Sequence, residues 1–250
     1  MNLLQRILVP VDIESQESHH LEKVLPLAQS YQSCIYLLYV LPEEILETKS
    51  RDLALRLVDA ELQKIGEKYC SPYQIQFEKK VEFGKVHESI AYVGDLYDIN
   101  LIVMSASNSR SPERLSITTE RVIRESEIAV MAVKRDQPLS FEHILCPIDF
   151  SEPSKRAFRN AARLAKNFQS RLSIVNVIEQ PKIPKFLGFG QNQSFDEEKI
   201  GTVREQLNLF AEENGASSIS FNSVVKHGDV AAEIIKFIKT NGGYTDDYGN

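Results

Sequence analysis

Ser105, Ser107, Ser109 and Thr119 carry hydroxyls, and Arg110 a guanidinium, within one stretch, LIVMSASNSRSPERLSITT. That combination suits an oxyanion. Hydroxyl donors and a cation lie just ahead of a helical pattern, whose first backbone N–H groups favour negative charge. Asp12 and Asp149 offer a second chemistry. Each closes a short apolar run, ILVPVD and ILCPID. There a carboxylate can accept a hydrogen bond from a ligand donor, or cap its own turn through a side-chain-to-backbone bond. Other chemistries find no footing. His19, His20, His87, His143 and His227 show no metal-ligand spacing with Cys, Asp or Glu. Neither a G-x-x-x-x-G-K-[ST] loop nor a G-x-G-x-x-G turn is present, and Gly188-Phe189-Gly190 is only a fragment of the latter. No nucleophile–base pair or carboxylate pair can be nominated.

The elements that must position these groups follow from periodicity. Leu101 to Met104 is a continuous apolar run of strand length, as in a parallel sheet covered on both faces. Arg6 to Asp12 and Cys34 to Leu41 read as buried strands in the same way. Tyr73 to Phe83 alternates like a half-exposed edge strand, and Ile128 to Lys134 is a fifth strand. Helical spacing occupies residues 16–31, where Pro26 is expected to kink or shorten the helix. It also occupies 45–69, 86–97 and 115–126. Ser15 or Ser18 is the natural N-cap of the first helix. Alternation of strand and helix predicts an α/β doubly wound parallel five-stranded sheet. The polar residues after Met104 then lie at a strand's carboxyl end, where such sheets bind ligands.

The pattern restarts. ILVPVDI at 7–13 matches ILCPIDF at 144–150; Gln32-Ser33 matches Gln169-Ser170; and FGKVHESI at 83–90 matches HGDVAAEI at 227–234. A repeat of this size means two copies of one domain, here residues 1–137 and 138–240, with a boundary near Gln137-Pro138. The offset between copies grows by seven residues across the Pro- and Gly-rich loop Gln180 to Ser194. In that loop Phe186, Leu187 and Phe189 either bind a partner or pack back on the sheet. The second copy is incomplete. Past Lys239 the sequence TNGGYTDDYGN is polar and Gly-rich, so the last two strands have no counterpart and 241–250 reads as a disordered tail. In the second copy Ser151 is the expected N-cap of a helix with Pro153 just inside.

Composition sets the remaining bounds. The net charge of −6 argues against a nucleic-acid binder. No apolar run approaches a membrane span. The N-terminus enters a strand-like segment directly, without a signal pattern, which predicts a cytoplasmic protein. Cys34, Cys70 and Cys146 are an odd set without a C-x-x-C pair, so neither disulfides nor a zinc site is expected.

Taken together, these fragments resemble a tandem universal stress protein. The resemblance rests on ILVPVD and ILCPIDFSEPS, the Ala-rich AFRNAARLAKNF, the Gly84 and Gly228 turns before Ile90 and Ile234, NLIVMS and IAVMAVK. It implies an adenine-nucleotide α-hydrolase-like sheet of order 3-2-1-4-5, in which ATP-binding members hold adenine near the first-strand Asp. Ribose and phosphates lie on a loop of pattern G-x-x-G, nine residues, G-[S/T]. Carried onto this chain, the glycine positions fall at Ser105, Asn108 and Thr118, and the hydroxyl position at Thr119, so all three glycines are replaced. Glycine at such places permits positive φ and close backbone approach to phosphate. Asn108 tolerates the left-handed region best, whereas Thr118 is β-branched and can cap the following helix.

Two readings stay open. In the first, the loop is a polar surface segment and the protein is a non-enzymatic stress-response factor acting by association, without a cofactor. In the second, the first domain is an ATP or AMP sensor, with Pro10, Val11, Asp12, Val40, Met104, Ser105, Ser107, Asn108, Ser109, Thr118 and Thr119 around the nucleotide. An enzyme of the wider nucleotide-binding group would need a catalytic motif that the sequence lacks. Asp149 is read as structural. In universal stress proteins fifth strands often pair across a dimer, or across the two halves of a tandem chain, so the unpaired strand edges here predict a homodimer or other association.

Overall fold

The computed structural model describes residues 4–14, 18–45, 50–106, 115–179, 197–216 and 219–241. The chain divides into two compact units, Met1–Leu139 and Ser140–Asn250. Ser15, the span 107–114, the whole 180–194 loop and the tail 242–250 lie outside the described residues, and so do the expectations that fall on them.

In the first unit β1 (Arg6–Pro10), β2 (Cys34–Leu41), β3 (Phe77–Phe83), β4 (Leu101–Ser105) and β5 (Ala129–Val133) form one parallel sheet in the order β3-β2-β1-β4-β5. The helices are α1 (His19–Tyr31), α2 (Arg51–Tyr69), α3 (Val86–Leu96) and α4 (Ile117–Glu125). The apolar runs become central strands because both faces are covered. Ile7, Leu8, Val9, Leu37, Leu38, Ile102 and Val103 are fully buried.

The second unit has β6 (His143–Pro147), β7 (Arg171–Glu179) and β8 (Phe221–Gly228), with α5 (Glu152–Phe168), α6 (Glu197–Ala211) and α7 (Val230–Asn241). Its sheet is three-stranded, order β6-β7-β8 among the described residues. The strands correspond to β1, β2 and β3, and the backbone repeats faithfully. Val11 N donates to Leu38 O at 2.9 Å, as Ile148 N does to Val175 O at 2.8 Å. Gln32 and Gln169 close their helices in the left-handed region, at φ 52° and 53°. Gly84 follows β3 at φ 118° and Gly228 closes β8 at φ 136°, where a side chain would be strained.

Local expectations need four corrections. α1 runs unbroken through Pro26. Burial of Leu21, Val24, Leu25, Leu27 and Ala28 on its inner face outweighs the one lost backbone bond, and Pro26 itself is exposed. α2 begins at Arg51, not near 45, because Glu43–Ile45 forms a separate 3₁₀ turn. β3 begins at Phe77, not Tyr73, because Ser71–Tyr73, with Pro72, makes a 3₁₀ turn and Gln74 takes φ 56°. Lastly, α7 extends to Asn241, one residue into the segment read as tail.

Candidate functional site

β1 lies between β2 and β4, so the order in which strands join the sheet reverses between β1 and β4. This is the topological switch point, where doubly wound sheets bind ligands. Pro10, Val11 and Asp12 end β1 on one side, and Met104 and Ser105 end β4 on the other.

The end of β4 is tied down from three directions. Ala106 N donates to Val133 O at 2.8 Å, and Ser116 N donates to Ala106 O at 2.8 Å. Thr119 gives its hydroxyl proton to the Ser105 carbonyl at 2.8 Å. Since the Thr119 proton is used there, the Ser116 hydroxyl donates to Thr119 Oγ1 across 2.7 Å. Ser116 Oγ also accepts from Thr119 N at 3.1 Å. The cap of α4 is therefore Ser116 rather than Thr118. Its oxygen takes the backbone donor that an anion would otherwise seek. Thr119 is only 1% exposed.

Across the switch point, His19 opens α1 with Nε2 at 3.1 Å from Ser105 Oγ. The neighbouring His20 is buried, with Nε2 at 2.8 Å from the Pro10 carbonyl. A carbonyl only accepts, so this nitrogen carries the proton. Asp12 is exposed, and its Oδ1 accepts from Glu14 N at 3.0 Å, the capping bond of a turn.

The named residues thus divide. Pro10, Asp12, Ser105 and Thr118 reach the carboxyl edge partly or fully exposed. Met104 and Val40 belong to the apolar cluster with Leu8, Ile102 and Val122. Val11 is buried, Thr119 faces inward, and Ser107, Asn108 and Ser109 lie outside the described residues. His19 was not singled out from sequence. The signal available was its place just after the β1 turn, because in this topology the N-terminus of α1 faces the end of β4.

In the second unit Asp149 repeats the Asp12 turn with more bonds. Its Oδ1 accepts from Ser151 N at 2.9 Å and from Ser151 Oγ at 2.5 Å. The Ser151 hydroxyl, then its amide, hold the carboxyl down at about 2. Ser151 caps α5 by accepting from Ser154 N at 3.3 Å, as the sequence predicts. No described residue supplies a counterpart of β4 beside it.

The second unit also holds a cleft of about 400 Å³ at the opposite, amino-terminal edge of its sheet, lined by His143, Ser170, Arg171, Ser173, Phe237 and Asn241. At the amino-terminal edge of the first unit's sheet, Asn100 Oδ1 accepts from Gln5 N and Arg6 N at 2.9 and 3.0 Å. The difference is visible in one repeated serine. Ser33 donates its hydroxyl to the Leu4 carbonyl, whereas Ser170 Oγ is buried without a partner among the described residues.

Among the described residues no helix is long and apolar enough to cross a membrane. No cluster of His, Cys, Asp and Glu there is placed to hold a metal.

Comparison with known proteins places these features. The model of the universal stress protein family matches residues 4–134 and 140–242. A universal stress protein from Archaeoglobus fulgidus DSM 4304 superposes with a TM-score of 0.71 at 18% identity, over 95% of this chain and 84% of its own. A functionally unknown protein from Pseudomonas aeruginosa PAO1 does so at 0.62 and 18%, over 95% and 78%. A putative universal stress protein from Pseudomonas aeruginosa UCBPP-PA14 gives 0.62 and 18%, over 95% and 79%. At that identity the likeness is one of fold. No curated protein sequence matches.

Proposed function

Because the chain belongs to the universal stress protein family, we propose that it serves the stress response as a cytoplasmic binding protein, acting by association and without catalysis. The observation that carries this reading is the closed hydrogen-bond set at the switch point of the first unit. A nucleotide phosphate there would need donors. The Thr119 hydroxyl is given to Ser105 O, the Ser116 hydroxyl to Thr119, and the Ser105 hydroxyl lies against His19. A ligand would have to displace these bonds, each worth about 1 kcal/mol net. The three replaced glycines of the loop act in the same direction, since added Cβ atoms hold the backbone away from phosphate. The residues present do not fit a phosphate cradle.

Calorimetric titration with ATP and Mg²⁺ tests the reading. The expected result is no saturable heat at micromolar ATP and no ATP turnover above a matched blank. Saturable micromolar binding that is abolished by Ser105→Glu would overturn it. That outcome would favour the second reading, an adenine-nucleotide sensor, which draws on the exposed Asp12 at the switch point. Association extends in this proposal to a second copy of the chain, through the outer edge of β5, which pairs with β4 on its other side alone among the described residues.

A further inference from the structure

The exposed side of α5 carries Arg156, Arg159, Arg163 and Lys166. Positions spaced by three, four and three residues fall on one helical face. That face is opposite the buried one, made of Ser154, Phe158, Ala161, Ala162 and Ala165. The four cations form a ridge about 15 Å long at 1.5 Å rise per residue. Lys155 is held by Glu152 at 2.5 Å; none of the four forms an ion pair among the described residues.

The fold does not call for this ridge. At the equivalent places of α1 the first unit has His19, Glu22, Pro26 and Gln29. Nor does stability call for it, because like charges three and four apart on a helix repel. From these observations, and resting on the reading that the chain acts by association, we infer that α5 is a docking surface for an acidic protein helix. The partner's carboxylates would repeat at the same three- and four-residue spacing.

Charge and shape choose that partner. Three of the four cations are arginines, whose planar forks take a carboxylate in two parallel bonds. The mean spacing along the ridge, about 5 Å, is that of one helix turn, so a second helix laid alongside meets each cation in register. Nucleic acid fits less well. It is a long polyanion, and beyond a ridge one helix wide it would face a chain whose net charge is −6. A membrane surface fits less well too, because Ala157, Asn160 and Asn167 offer no large apolar side chain between the cations for insertion.

Fluorescence anisotropy with three probes tests the inference on the full chain. The first is a labelled Ala/Glu helix with Glu at positions i, i+3, i+7 and i+10. The second is a single-stranded oligonucleotide of equal charge, and the third a phosphatidylserine vesicle. The expected result is binding of the helical peptide that weakens as salt screens the pairs. Affinity should fall about tenfold or more in Arg159→Glu/Arg163→Glu, the behaviour of charge pairs across an interface. Arg159→Gln/Arg163→Gln should show a smaller loss, and the reversal Lys64→Glu/Lys85→Glu, in the first unit, none. Circular dichroism shows that each variant is folded. Three results would overturn the inference: absence of peptide binding, equal binding by the α5 reversal, or tighter binding of the oligonucleotide or vesicle. The ATP titration reads the first unit and this experiment the second, so either proposal can fail alone.

Discussion

Thr119 on α4 gives its hydroxyl proton to the carbonyl of Ser105 on β4, across 2.8 Å and fourteen residues of chain. The bond joins the element that would hold a phosphate to the one that would begin the phosphate loop. It gives the Thr119 hydroxyl a structural task. Thr119→Val keeps the shape and removes the hydroxyl, leaving the Ser105 carbonyl and the Ser116 proton without their partner. The expected cost is about 1–3 kcal/mol, the range for a polar group stranded in a buried place, read as a lower urea midpoint. An unchanged midpoint would return Thr119 to the role of a ligand residue.

Gly66 sits in α2 against the ring of Phe77, the first residue of β3. A Cβ at residue 66 would stand 2.2 Å from Phe77 Cε2 and 2.4 Å from two further ring atoms. Alanine is the better helix former by about 1 kcal/mol, yet a ring cannot retreat as a flexible chain end can. Gly66→Ala should therefore destabilise the first unit by about 1–3 kcal/mol net, as overpacked cores do. A thermal melt of the variant checks the sign. A rise in Tm would mean that Phe77 swings aside freely.

How much of this was legible beforehand depends on the range of the interaction. Central strands such as Leu101–Met104 declare themselves because both faces are buried and the run is uninterrupted. The repeat declares itself because the Asp12 and Asp149 turns, and the Gln32 and Gln169 helix ends, are local structures written in local sequence. The meeting of His19 with Ser105 is not local: 86 residues separate them, and only the strand order brings them together. The cap of α4 was obscured by neighbouring hydroxyl residues, since Ser116, Thr118 and Thr119 all suit a helix start. Choosing Ser116 requires knowing where the first helical turn begins. Pro26 misled because its cost is local whereas the burial that overrides it is tertiary.

Asp149 gives a pH dependence of definite sign. Its carboxyl is lowered from the ordinary 3.8 to about 2 by the Ser151 hydroxyl and amide. A depressed folded-state value means that the ionised form stabilises the native turn. That contribution is fully present above about pH 4 and is lost as pH falls toward about 2. Asp149→Ala should be less stable than the parent at neutral pH, and the gap should narrow through that window. Urea midpoints of both proteins at a series of pH values measure it. A gap constant down to pH 2 would show that the carboxylate charge does not matter to the turn.

The thiols should separate by burial. Cys70 and Cys146 are 0% and 4% exposed, and burial pushes each up to about 11. Cys34 is half-buried and is raised too, by burial first and then by Glu78. Since the thiolate is the reactive form, a disulfide reagent at pH 8 should label Cys34 first and the other two only as fast as the protein opens. Mass mapping of the labelled peptides checks the order. Early labelling of Cys146 would mean that the second unit opens more readily than its buried cluster of Cys146, Phe158 and Ile174 implies.

Copies of the chain should associate along β5. Its inner edge pairs with β4 in register from Leu101↔Ala129 to Ser105↔Val133. The outer edge runs AVMAV without proline or charge, and Ala129 and Ala132 are exposed. Natural edge strands are usually blunted by such residues, and an unblunted one recruits another strand. Sedimentation at high concentration should therefore show a dimer. Ala129→Lys/Ala132→Lys should convert it to monomer with the circular dichroism spectrum unchanged, because both side chains are exposed, one on each face of the sheet. A wild-type chain that stays strictly monomeric would remove β5 as an association surface and leave the basic face of α5 as the remaining candidate.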